Sequence, residues 1–195
     1  SAPYNLLTAH RARAIGHTVL NVPVLEVRPT LALAPAADPD VIVFTSAHGV
    51  ELHPFNARLV DVPVFAVGDL TAEATRRRGY RQVHSAQGDL SDLQKLIVTS
   101  VPRPAHVVHF SALEPSGDLP GYLNLSGFQA ERCVVYDTCP AENDELARAV
   151  DSLAALDGIV IHSRKAARLV AEVIFTARWN GIVFCISEAC AAELR

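Results

Sequence analysis

VIVFTSAHGVE, residues 41–51, joins two kinds of chain in eleven residues. Val41–Phe44 is a continuous apolar run with no polar alternation. That pattern suits a short strand buried on both faces of a parallel sheet. The run stops on two hydroxyls, Thr45 and Ser46, side chains favoured at helix N-caps. The small residues that follow can open a helix. The stretch reads as strand, hydroxyl, helix start.

The same unit returns four times. VPVFAVGDLTAEATRRRGY (62–80) is a strand, Gly68-Asp69, Thr71, then an Ala-containing helix closed by Gly79. HVVHFSALEPSGDLPGYLNLSGF (106–128) is a strand, Ser111, a loop, then a helix closed by Gly127. GIVIHSRKAARLVAEVIF (158–175) is a strand, Ser163 and a helix. IVFCISEACAAELR (182–195) is a strand, Ser187 and a helix. Strands alternating with helices of this length imply an α/β protein with parallel sheets covered on both faces.

Two segments depart from the unit. PVLEVRP (23–29) is extended and pinned by a proline at each end. VVYDTCPAEN (134–143) mirrors it, an apolar strand that carries Tyr136 and Thr138 and stops at Pro140. Two extended crossings suggest one domain inserted into another. The expected division is 30–132 as the inserted domain, 1–22 plus 143–195 as a discontinuous one, and 23–29 and 133–142 as linker strands. The groove between the domains is then the natural binding site. Pro3 to Ile15 reads as a helix ending at Gly16, and HTVLNV (17–22) as a strand after it.

Composition removes several function classes. No apolar run approaches the roughly 20 residues that span a bilayer, and no signal-peptide pattern opens the sequence. A soluble, cytoplasmic protein is expected. The formal net charge of −4 argues against binding nucleic acid through phosphates. The basic run Arg76–Arg78 sits just before Gly79, where cations complement a helix C-terminus. Cys133, Cys139, Cys185 and Cys190 match no common zinc spacing. His106 and His109 lie three apart in a strand and so face opposite sides; no metal site is expected. The sequence has no Met and places a helix ahead of any strand, which leads to the expectation that residues are missing ahead of Ser1.

Ligands of open parallel α/β sheets sit at the carboxyl ends of the strands, where helix N-termini offer free N–H groups. Thr45, Ser46, Gly68, Thr71, Ser111, Ser163 and Ser187 all fall at such places. Each hydroxyl can be a helix cap, a ligand contact, or both. No phosphate loop, GxGxxG or GxSxG motif is present, so the dinucleotide fingerprint is missing and no nucleophile announces itself.

The set resembles the uroporphyrinogen-III synthase family. The matching pieces are the TS of VIVFTSAHGVE, VFAVGDLTAEATRRRGY, SGDL (116–119) followed by LNLSGF, VVYDTCPAE, IVIHSRKAARL and ISEACAAEL, in order over most of the chain. The resemblance implies two flavodoxin-like parallel-sheet domains joined by a two-stranded linker, one of them discontinuous. It implies a cofactor-free monomer that cyclises hydroxymethylbilane to uroporphyrinogen III, inverting the last ring and releasing water. It also implies an opening strand with a Thr-Arg-Pro-like end that this sequence lacks. The family's usual Asn after the TS pair is replaced here by His48 or Gly49, and a frequent hydroxyl of its last motif by Cys190.

A polycarboxylate substrate fits hydroxyl-tipped helix termini. Departure of a hydroxymethyl group as water needs a proton donor. Tyr136 is the candidate, since a phenol with a pKa of about 10 stays protonated at neutral pH. The bilane also closes without inversion, so the protein must mainly control conformation, which a shaped cleft does without an acid–base dyad. The rival class is a two-domain protein that binds a small anion, or regulates, without chemistry.

Overall fold

The recurrent apolar runs become strands whose order in the sheet differs from their order in the chain. The computed structural model describes residues 4–32, 35–141 and 144–194, without the side chains of Tyr4 and Glu145. Along the chain lie α1 (Tyr4–Ala14), β1 (Leu25–Pro29), β2 (Val41–Phe44), α2 (Ala47–Leu52), β3 (Val64–Ala66), α3 (Asp69–Arg78), β4 (Val83–Ser85) and α4 (Leu90–Ser100). Then come β5 (His106–Ala112), α5 (Leu119–Leu125), β6 (Gln129–Pro140), α6 (Asp144–Asp151), β7 (Gly158–Ile161), α7 (Arg164–Thr176), β8 (Ile182–Cys185) and α8 (Glu188–Ala191).

The chain divides into two units, Arg28–Thr138 and Ser1–Val27 with Cys139–Arg195. The division falls inside β1 and β6, so both strands run from one unit into the other.

The larger sheet has the order β1-β6-β5-β2-β3-β4. The pairs β6–β5, β5–β2, β2–β3 and β3–β4 are all parallel. Counted from β2, its last five strands run 3-2-1-4-5 when read from the β4 edge, a doubly wound order that differs from the flavodoxin order 2-1-3-4-5. β1 ends on Pro29 at the sheet edge, where a missing N–H costs no ladder bond. The chain leaves β2 toward β3 on one side and returns to β5 on the other. The carboxyl ends of β2 and β5 therefore flank the switch point.

Each face of this sheet has its own core. Val41, Val43, Phe65 and Val107 pack with Leu93 and Ile97 of α4 and Leu119 and Leu123 of α5. On the other face Phe44 stacks on Phe110 at 5.7 Å, and His53 and Tyr80, which follow α2 and α3, pack against them. Gly49 explains how closely α2 lies on the sheet. A Cβ there would come 2.9 Å from the Phe110 carbonyl oxygen and 3.5 Å from the Phe44 ring. α3 ends at Gly79 (φ 115°), with Arg76, Arg77 and Arg78 in its last turn, as the sequence indicates. β4 and α4 escaped the sequence reading. Their signal was local: Asp89 and Asp92 form a reciprocal capping box at the start of α4.

In the smaller unit β7 and β8 form a two-stranded parallel sheet. Ile161, Ala167 and Cys190 are its buried core. Val160, Ile182 and Phe184 stay more than half exposed, so among the described residues this sheet is covered on one face only. α1 runs from Tyr4 to Ala14 and turns at Gly16 (φ 94°); Pro3, the expected first residue of this helix, lies outside the described residues. The strand expected at 17–22 is not formed. Those residues bond to α1 instead of to a ladder: Arg13 donates to the Val19 carbonyl at 2.9 Å and Asn5 to Asn21 at 3.1 Å. A β-pattern gives a local preference, and only a paired neighbour turns it into a strand.

Candidate functional site

Two separate polar pairs lie near the switch point of the larger sheet, Thr45 with His109 and Tyr136 with His48. Thr45 follows β2, and its hydroxyl lies 2.9 Å from Nε2 of His109 in β5. His109 is 1% exposed and its Nδ1 has no hydrogen-bond partner among the described residues. Burial, reinforced by the Arg132 charge, pushes its pKa down to about 4, so the imidazole is neutral at neutral pH. Ser111 lies two residues further along the same strand and is equally buried.

Ser111, expected at the strand's end ahead of a loop, is the last residue but one of β5 and donates to the Ala112 carbonyl at 3.0 Å. The next helix is capped by Asp118, whose carboxylate accepts from the Gly121 N–H.

Immediately after Ser111 the ladder shifts. Ser111 pairs with Val134, but Ala112 pairs with Tyr136, leaving Val135 as the extra residue of a bulge. The Leu113 N–H donates to the Tyr136 carbonyl at 2.8 Å and holds the shifted register. Without the shift Tyr136 would face the same side as Val134. With it, the ring turns toward α2 and meets the His48 imidazole edge to face, at 5.7 Å and 65°. Tyr136 is 6% exposed.

His48 resolves an ambiguity of the sequence. Either His48 or Gly49 could occupy the place of the family's Asn. Gly49 has no room for a side chain, and His48 projects to Tyr136. Its Nδ1 lies 3.7 Å from Glu51.

The other expected contacts separate into caps and open backbone. Ser46 accepts from the His48 N–H at 3.1 Å and caps α2. Ser163 caps α7 through the Ala166 N–H, and Ser187 caps α8 through the Cys190 N–H, both in the smaller unit. Cys190 is fully buried there, and its thiol donates to the Ser163 carbonyl at 3.4 Å. It serves as a small core residue that ties the Ser163 turn. Gly68 caps α3 through its backbone alone, with extended angles and open space where a Cβ would stand. Thr71 lies inside α3, 1% exposed, and its hydroxyl oxygen has no hydrogen-bond partner among the described residues. Sequence reasoning named His48 only as a departure from the family's Asn and gave His109 no role; the pairing of His109 with Thr45, 64 positions away, leaves no local signal.

A doubly wound parallel sheet with polar side chains near the carboxyl ends of its strands is the arrangement of α/β proteins that take a small molecule there. The family model described as Uroporphyrinogen-III synthase HemD matches residues 7–195. The chain belongs to the uroporphyrinogen-III synthase family. Among solved structures it is similar to uroporphyrinogen-III synthetase from Helicobacter pylori (15% identity, TM-score 0.59), covering 88% of this chain and 79% of that one. It is equally similar to a mutant uroporphyrinogen III synthase from Thermus thermophilus (16% identity, TM-score 0.59), covering 100% of this chain and 86% of that one. At these identities the likeness carries the fold. No curated protein matches the chain significantly.

Proposed function

We propose that this protein is a uroporphyrinogen-III synthase, a lyase of tetrapyrrole biosynthesis that closes hydroxymethylbilane into uroporphyrinogen III. The observation that carries this is the family match over residues 7–195. The bilane loses its terminal hydroxyl as water, and the freed methylene carbon bonds to the α-carbon of the far terminal pyrrole that already carries the chain's methylene bridge; that bridge breaks and re-forms at the pyrrole's free α-carbon, which inverts the ring. Tyr136 is the proposed proton donor to the departing hydroxyl. The formerly free α-carbon that receives the bridge then loses its proton, which restores the phenol. A general acid is typically worth about 10²–10⁴-fold. Here the pyrrole already activates the leaving group, so the lower part of that range applies.

Substrate carboxylates are proposed to contact Thr45, Ser46, Gly68, Thr71 and Ser111 of the larger unit, and Ser163 and Ser187 of the smaller. The open backbone at Gly68 supports its place in this set. The buried hydroxyls of Thr71 and Ser111 require local opening to serve. The proposal also includes two parallel-sheet domains, 30–132 and 1–22 with 143–195, joined by 23–29 and 133–142. It takes the protein as a cytoplasmic monomer without nucleic-acid partners, in keeping with a net charge of −4. No described helix is long and apolar enough to cross a membrane.

The test is a coupled assay on hydroxymethylbilane that separates type III from type I porphyrin after oxidation. Predominantly type III product is expected. Type I alone, at the uncatalysed rate, would refute the assignment.

A further inference from the structure

His48 stands on a helix that cannot turn. The backbone of α2 rests on β5 at Gly49, where even a methyl group would press on the Phe110 carbonyl. Its first turn is fixed because Ser46 accepts from the N–H of His48 itself. The His48 side chain is 18% exposed, and Glu51 lies one turn on, 3.7 Å from Nδ1. The imidazole is therefore held from behind, with its ring against the Tyr136 ring. Tyr136 is in turn anchored by the β5–β6 bulge and by its carbonyl bond to Leu113. Two independently fixed backbones thus bring these rings together, and edge-to-face geometry is the favoured one for such a pair.

We infer that His48 is a positioning residue for Tyr136, the imidazole wall that keeps the phenol in the orientation from which it gives up its proton. This rests on the assignment of Tyr136 as the proton donor. His48 is not a further carboxylate contact: Glu51 faces its Nδ1, and a second carboxylate there would be repelled. Misplacing a reacting group by about 1 Å can cost about 100-fold in rate, so the wall matters even though it touches no reacting atom.

The experiment uses the full chain with hydroxymethylbilane, in wild-type form and as His48→Ala, His48→Phe, Tyr136→Phe and the His48→Ala/Tyr136→Phe pair, with urea unfolding of each. His48→Ala is expected to lower kcat about 10- to 100-fold, with KM within about twofold of wild type. His48→Phe, which restores an aromatic wall, should recover most of the rate; a loss caused only by poor folding of the alanine form would show in its unfolding curve. The paired variant should be no slower than Tyr136→Phe alone, because a residue that acts through another adds nothing once its partner is gone. A wild-type kcat in His48→Ala would overturn the inference. So would multiplying losses in the paired variant, or a raised KM at unchanged kcat. A wild-type protein that makes only type I porphyrin would instead defeat the assignment of function.

Discussion

Thr45 and His109 are joined by a 2.9 Å hydrogen bond across the switch point, and the hydroxyl is the one partner of that buried ring among the described residues. Thr45→Val keeps the shape and removes the hydroxyl. It leaves both ring nitrogens unpaired in an apolar setting, which costs about 1–3 kcal/mol. Thr45→Ser retains the bond and should lose much less. Urea unfolding of the two variants against wild type checks this; equal losses would show that the methyl group, not the bond, stabilises the site.

Acid should destabilise the protein through two histidines. His53 donates from Nδ1 to the Val50 carbonyl at 2.7 Å, which leaves Nε2 to accept from the Tyr80 hydroxyl at 2.8 Å. Burial pushes its pKa down to about 4, as it does that of His109. Unfolded, both titrate near about 6.5. Between about pH 6.5 and 4 the unfolded chain therefore binds more protons, and stability falls as pH falls through that window. The full shift is on the order of 3 kcal/mol per histidine. Unfolding midpoints at pH 7 and 4.5 should differ accordingly. The C2 proton resonances of both rings should stay fixed from pH 7 to 5; a titration midpoint near about 6.5 would contradict the burial argument.

Two glycines should respond in opposite ways to the same substitution. Gly49→Ala forces a methyl against the Phe110 carbonyl, an overpacking that costs about 1–3 kcal/mol. Gly68→Ala meets nothing within 4 Å among the described residues beyond its chain neighbours and keeps an extended backbone. It should leave stability unchanged or raise it by up to about 1 kcal/mol. If substrate approaches Gly68, that same variant raises KM. Thermal unfolding and steady-state kinetics separate the cases, and a Gly68→Ala protein with wild-type KM would remove Gly68 from the contact set.

Ser163 tests capping against binding. Ser163→Ala removes the acceptor for the Ala166 N–H and should cost about 1 kcal/mol. As a proposed carboxylate contact, it should raise KM as well. Lost stability with KM unchanged would leave Ser163 as a cap alone.

Tyr136→Phe should lower kcat by about 100-fold or somewhat more while substrate affinity changes little, since carboxylate contacts lie elsewhere. Single-turnover kinetics measures the two separately. A Phe variant with near-wild-type rate that still makes the type III isomer would place catalysis in conformational control alone.

What could be read in advance followed from local patterns. VIVF announces a buried strand by unbroken apolar composition, IVFC announces a strand that stays half exposed, and Ser46, Ser163 and Ser187 announce the helix starts they do cap. Gly79 and Gly127 mark helix ends because both adopt positive φ. The site was less legible. Thr45 and His109 meet through sheet order, which no local spacing encodes. Thr71 looks like a terminus hydroxyl in sequence, yet its place in the first turn of α3 turns it inward.

The bulge between β5 and β6 gives the strand a parity that composition cannot reveal. Before it, every second residue of β6 faces one side; after it, the count is reversed, and Tyr136 falls on the side of α2. Chain length, rather than residue type, therefore decides on which side of the sheet the phenol stands. Removing Val135 would regularise the ladder and leave Tyr136 opposite Ala112. Adding one residue to β5 opposite Val135 would also regularise it, yet would carry Tyr136 to the α4 and α5 side. Two changes of equal size, one on each strand, would leave equally regular sheets with the phenol on opposite faces.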